Sequence, residues 1–181
     1  MLLTNKEKML AGELYLANDP DLVADRLRAK QLCHCYNQEP VHPNRQVLAE
    51  LLGYETAAHL EAPLRCDYGY NIQLGRNVYA NYNLTILDCA LVTIGDNVFM
   101  APNVVLSTAG HPVEVAPRIA GWEFARPITI GDNVWLGAGV LVMPGVTIGA
   151  GTTVGAGSVV TRDIPAGVVA VGNPCRVLRA V

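Results

Sequence analysis

Aromatic residues are scarce in this chain. Two Trp, two Phe and seven Tyr make up 6% of its 181 residues, so aliphatic side chains must fill the interior. An excess of basic charge is also missing. Thirteen basic and sixteen acidic side chains leave a net charge of -3 with no long basic run, which argues against a nucleic-acid surface. No apolar stretch approaches the roughly 20 residues of a membrane span. The opening MLLTNKEKMLAGELY lacks the apolar block and cleavage site of a secretory leader, so a cytoplasmic location and no membrane partner are expected. Five cysteines are an odd number for a disulfide framework, and Cys33, Cys35, Cys66, Cys89 and Cys175 are read as buried or incidental thiols. What is abundant is aliphatic: 51% of the chain is hydrophobic and 16% charged, with 17 Gly and 11 Pro to make turns.

Two regions differ in period. Residues 1–60 read as helices. Asn18 or Asp19 is placed to cap a helix that has Pro20 in its first turn. Leu22, Val23, Leu27, Leu32 and Tyr36 follow at helical spacing, with Arg26, Arg28 and Lys30 on the other side. After a loop at His42-Pro43, a further helix spans Asn44 to Leu52 and stops at Gly53. Cys33 and Cys35, two apart on a helix, face different ways.

From about residue 70 the period is six. Ile130, Leu136, Val142, Ile148, Val154 and Val160 form one row, and Ile128, Val134, Val140, Val146, Thr152 and Ser158 precede them by two. Ile94, Met100 and Leu106 follow the same rule, as do Leu74, Ala80 and Ile86. Turn formers lie between. A repeat of this kind predicts short strands joined by tight corners, three to a coil, each sending one aliphatic side chain into a narrow prism. A polar group in that row would be buried without a partner. The step from Ile86 to Ile94 is eight, so two extra residues sit in a loop.

The pattern is lost over residues 107–127, STAGHPVEVAPRIAGWEFARP, an insertion expected to have no structure of its own. Long insertions in regular folds are commonly functional. This one holds His111, the one histidine inside the repeats, between Gly110 and Pro112. A free imidazole titrates at about pH 6.5, so it can take a hydroxyl proton at neutral pH. A zinc hydratase on such a prism needs three histidine ligands, whereas His34, His42 and His59 all precede the repeats.

The strings LRCDYGYNI, YANYNLTILD, STAGHPV, PITIGDNVWLGAG and VGNPCRVLR resemble the maltose and galactoside O-acetyltransferase branch of the hexapeptide-repeat acyltransferases, over nearly the whole chain. KEKMLAGELY and RLRAKQLCHCYN resemble that branch's helical N-terminal segment, and RCDYGYN is closest to its maltose-acetylating side. The resemblance implies a mainly β fold, a left-handed parallel β-helix over residues 61–181 with a helical segment over 1–60. It implies a homotrimer with active sites between subunits, acetyl-CoA as donor, no metal, and a sugar hydroxyl of maltose, glucose or galactoside type as acceptor. A non-sugar alcohol or an amine is the alternative acceptor.

By the same resemblance, His111 falls on the general base and Asn81 on the amide that contacts acceptor and thioester. Asp67, Tyr79, Asp88, Glu123 and Trp135 fall on or beside acceptor positions. Ala138 and Ala156 fall where backbone meets the pantetheine arm, and Thr161, Arg162, Arg176 and Arg179 at the nucleotide end, where guanidinium groups suit phosphate. The galactoside branch has a serine at Ala138, an acidic residue at Cys89 and an aspartate at Ala17.

Overall fold

The computed structural model describes residues 3–39 and 44–181; the anticipated loop at His42-Pro43 lies outside them. Helix α1 (Asn5–Leu10) is capped by Thr4, whose side chain accepts from the Glu7 N–H while Glu7 reaches back to the Thr4 N–H. Helix α2 (Pro20–Asn37) starts at an Asp19 cap with Pro20 in its first turn, and α3 (Arg45–Leu52) starts at Asn44 and ends on Gly53 in the left-handed conformation. The buried side of α2 agrees only in part with the one expected, with Leu32 packed against the core. Leu22, Ala29, Cys33 and Tyr36 are buried, whereas Val23 and Leu27 are exposed. Arg26, read as surface dressing, turns inward and donates to the Tyr68 hydroxyl at 2.7 Å and the Ala17 carbonyl at 2.5 Å.

The repeats wind into a three-sided parallel β-solenoid. One face stacks β4 (Ile72–Leu74), β7 (Val92–Ile94), β12 (Ile128–Ile130) and β15 (Thr147–Ile148). A second stacks β2 (His59–Leu60), β5 (Tyr79–Ala80), β8 (Phe99–Met100), β13 (Trp135–Leu136), β16 (Thr153–Val154) and β18 (Val168–Val171), with β19 (Arg176–Ala180) antiparallel at its end. The third stacks β3 (Arg65–Cys66), β6 (Thr85–Leu87), β9 (Val105–Ser107), β14 (Leu141–Val142) and β17 (Val159–Val160).

Register explains the period. Thr129 lies beside Thr147 and Leu141 beside Val159, each eighteen residues on, so one coil is three steps of six. Val105 pairs Leu141, twice eighteen residues away, so the 107–127 insertion occupies the length of one whole coil and returns the chain in phase. The row from Ile130 to Val160 is fully buried, each side chain contributing roughly 1.5–3 kcal/mol. Thr152 and Ser158 in the second row are also buried, and their hydroxyls donate to the Pro165 and Gly155 carbonyls.

The corners need a residue at positive φ. Asn77, Asn97 and Asn133 supply it in successive coils, with side-chain amides bonded in a ladder at 3.0 and 3.1 Å. Gly151 takes over one coil later, and the ladder stops. Among the described residues no helix is long and apolar enough to cross a membrane.

Candidate active site

The insertion has more structure than anticipated. It rises from the third face as a hairpin, β10 (Ala109–Gly110) against β11 (Trp122–Ala125), with a short helix α4 (Val115–Ile119) between them. Strand β11 also pairs with β1 (Tyr15–Leu16), so the N-terminal segment braces the arm that carries His111. Gly110 leaves room here for an aromatic ring. A Cβ on it would lie 2.5 Å from the Phe124 ring, which crosses the hairpin and stacks under Arg126 at 5.3 Å.

His111 is half exposed. Its Nδ1 is 3.4 Å from the Trp122 carbonyl and its Nε2 3.8 Å from Glu123 Oε1. A carbonyl can only accept, so this contact favours the tautomer with the proton on Nδ1, in which Nε2 carries the lone pair. Behind it runs a polar cluster. Tyr15, fully buried, donates its hydroxyl to Glu123 Oε2 at 2.9 Å. Burial, then the neighbouring Cys89 and Glu123, push the Tyr15 phenol upward, so it stays a donor. The Cys89 thiol donates to Asp67 Oδ2 at 3.6 Å, and burial with the Asp67 charge pushes it up to about 12. Asp67 is itself raised, burial outweighing the Cys89 hydrogen bond and the Arg26 charge.

Asp88 is the exception among the expected acceptor residues. Its carboxylate is fully buried and turns both oxygens to the backbone, accepting from the N–H of Asp67 at 3.0 Å, Tyr68 at 2.9 Å, Gly69 at 2.7 Å and Asn71 at 3.4 Å. With no oxygen left to face a substrate, it shapes the loop that presents Asp67. The two-residue excess between Ile86 and Ile94 places it there.

The other expected residues line a different edge of the prism. Tyr79, Phe99 and Trp135 are register partners on the second face, and with Asn81, Met100 and Ala101 they border a cavity of about 430 Å³. Along the same edge, one coil apart, lie the exposed Ala138 and Ala156, held together by the Gly157 N–H on the Ala138 carbonyl at 2.8 Å. A Cβ on Gly137 would strike the Ala156 backbone N at 2.6 Å, so only glycine lets these coils stack here. Thr161 and Arg162 follow β17, and Arg176 and Arg179 lie on β19; all four are exposed. Asn81 enters the third face and His111 leaves it, so in one chain the face separates them.

Residues 8–54 match the maltose acetyltransferase hexapeptide capping motif, and residues 127–162 match six repeats of the bacterial transferase hexapeptide. The galactoside O-acetyltransferase of Escherichia coli is 48% identical, with 97% of this chain and 88% of that protein aligned. Among solved structures, a maltose O-acetyltransferase from Clostridium difficile superposes with a TM-score of 0.95 at 47% identity, covering 99% of this chain and 98% of that one. The chain belongs to the hexapeptide-repeat acetyltransferases. A galactoside acetyltransferase in complex with coenzyme A is a further match, with a TM-score of 0.88 at 45% identity over 99% of this chain and 92% of that one.

The arm with its polar cluster is one candidate half-site, and the alanine-lined edge is the other. Three members of the first half carried no signal in the repeat pattern. Tyr15 lies on a strand of two residues, Arg26 reads as one of a run of surface cations, and Cys89 sits in the loop where the repeat is out of phase.

Proposed function

We propose that this acetyltransferase moves the acetyl group of acetyl-CoA to a hydroxyl of a sugar, with His111 as general base. The observation that carries the reading is the His111 ring itself, with Nδ1 turned to a carbonyl and Nε2 turned toward Glu123, on an arm braced by β1. Nε2 takes the hydroxyl proton as the acceptor oxygen bonds to the acetyl carbon; the carbon–sulfur bond then breaks and the proton passes from Nε2 to the departing sulfur, so the coenzyme leaves as its thiol. Glu123, Asp67 and Arg26 offer two acceptors and a fork of donors, a set that suits the paired hydroxyls of a sugar. Tyr79 and Trp135 supply flat apolar walls. Asn81 donates its amide to the carbonyl oxygen as charge develops on it.

Acetyl-CoA supplies the activated acetyl thioester. The exposed edge fits its thin pantetheine arm, because Ala138 and Ala156 project no more than a methyl group, and Thr161, Arg162, Arg176 and Arg179 suit its phosphates. Since the third face separates His111 from Asn81 within a chain, the working site takes His111 from one copy and the Asn81 edge from a neighbour. A homotrimer closes that arrangement.

The test is an acceptor panel of maltose, glucose, galactosides, simple alcohols and amines, read by release of free coenzyme thiol, with His111→Ala in parallel. Loss of about 100- to 10,000-fold in kcat is expected for the variant. Unchanged turnover would remove the base. Preference for an amine or a non-sugar alcohol would replace the sugar reading.

A further inference from the structure

Two of the cysteines that the acetyl-transfer chemistry leaves unused lie together. Cys33 on α2 and Cys66 at the end of β3 bring their Sγ atoms to 3.6 Å, although 33 positions separate them in the chain. Both are nearly buried, yet both border a pocket of about 420 Å³ whose rim carries Lys30, His34, Arg65 and Asp67. Small molecules in solvent therefore have a way to the sulfurs. The other thiols do not share this arrangement. Cys35 points outward from the same helix and Cys89 is committed to Asp67.

We propose that Cys33 and Cys66 form a reversible dithiol–disulfide site, oxidised by a small peroxide, that ties α2 to the first coil beside Asp67. A disulfide holds its sulfurs about 2.05 Å apart, so the pair must close by roughly 1.5 Å, less than one side-chain rotation provides. The two positions are also unequal in the way the chemistry needs. Either sulfur can donate in their contact; with Cys66 as the donor and Arg65 nearby, the Cys33 thiol is held below its usual range. The same contact and deeper burial push Cys66 upward.

Cys33 is therefore the attacking thiolate. Its sulfur bonds to one peroxide oxygen, the O–O bond breaks, and the other oxygen leaves as hydroxide, which is protonated to water. The sulfenic acid on Cys33 is then attacked by the Cys66 sulfur. The S–O bond breaks and a second water leaves with the Cys66 proton. Both sulfurs are oxidised, the peroxide is reduced to two waters, and a dithiol reductant reverses the step.

Cys66 immediately precedes Asp67, whose N–H is held on Asp88. Drawing Cys66 toward α2 shifts the backbone that carries Asp67. That consequence rests on the acceptor role proposed above, whereas the cross-link does not.

The experiment treats the assembled protein with hydrogen peroxide, blocks remaining thiols with iodoacetamide and maps the peptides. Cys33 and Cys66 are expected to escape alkylation together, in a linked peptide pair about 2 Da lighter than the sum of its reduced parts, about tenfold faster than exposed Cys35 is lost. Dithiothreitol restores both. Cys66→Ser stops at a Cys33 sulfenic acid that dimedone traps, and Cys33→Ser leaves Cys66 alkylated. In the oxidised wild type the acceptor KM rises several-fold and the donor KM does not. Full alkylation of both cysteines after peroxide, or a link from Cys33 to another cysteine, overturns the site. A Cys33–Cys66 link with unchanged acceptor KM upholds the site and overturns the acceptor role of Asp67.

Discussion

Replacing Asp88 separates a structural carboxylate from a substrate contact. In Asp88→Ala, the N–H groups of Asp67, Tyr68, Gly69 and Asn71 lose their shared acceptor. Each buried donor left unpaired costs about 1–3 kcal/mol. Tyr68 and Gly69 are themselves buried, and these two alone put the loss at about 2–6 kcal/mol. Asp88→Asn is milder, since one amide oxygen still accepts. The pH dependence carries a sign. Burial outweighs the backbone hydrogen bonds and pushes the Asp88 carboxyl from 3.8 up to about 6. Between those values the folded protein holds a proton that the unfolded chain has released, so this contribution to stability grows as pH falls and is lost as pH rises through about 6. Two pKa units correspond to roughly 3 kcal/mol, taken as an upper bound. Hydrogen exchange across residues 65–74 measures the local effect, and chemical unfolding from pH 4 to pH 7 the global one. The expected result is faster exchange in Asp88→Ala at every pH, a stability difference between wild type and Asp88→Asn that slopes across pH 4–6, and a raised acceptor KM in both variants. A flat difference, or an Ala variant within about 1 kcal/mol of wild type, would refute the clamp, since one unpaired donor alone costs that much.

Two further outcomes follow from the geometry. Gly149→Ala places a Cβ 2.3 Å from the Ala166 backbone N, in a stack where backbone meets backbone, and is expected to cost about 3 kcal/mol. Gly139→Ala faces open space and meets only the penalty of its positive φ, about 1 kcal/mol, so thermal unfolding should rank the two in that order. Tyr15→Phe removes the hydroxyl donated to Glu123, and steady-state kinetics should show acceptor KM raised about tenfold with donor KM unchanged, as for the loss of one hydrogen bond to a charged group.

The solenoid was legible because its constraint is local and repeated. One side chain in six must enter a dry prism, so the row from Ile130 to Val160 has no freedom to be polar. The corner residues carry the same information, since Asn or Gly recurs wherever φ turns positive. His111 could be singled out for the opposite reason, as a titratable side chain placed where the repeat is suspended. The caps of α2 and α3 were legible, and the buried side of α2 only in part, since Leu22 and Tyr36 are buried and Leu32 packs against the core. Val23 and Leu27 fit a helical stripe, yet the surface α2 meets is set by a solenoid whose position the stripe does not encode. Asp88 shows the limit of motif matching. A carboxylate next to an acceptor loop looks like a ligand until the fold shows four backbone donors converging on it.

What escaped the sequence consists of contacts between distant segments. Tyr15 meets Glu123 across 108 positions and Cys33 meets Cys66 across 33. In each case one partner lies in the aperiodic N-terminal region, where no repeat fixes the phase. The separation of His111 from Asn81 belongs to a third kind. Each residue is predictable alone, and the coil count shows that the third face runs between them. A chain of short strands can set residues on every edge of a prism but cannot fold one edge onto another, because each coil is pinned by the coils above and below. Chemistry that needs two edges must therefore borrow one from a second copy. Under the proposed function, the rigidity that made the fold readable is the same property that gives a single chain half a site.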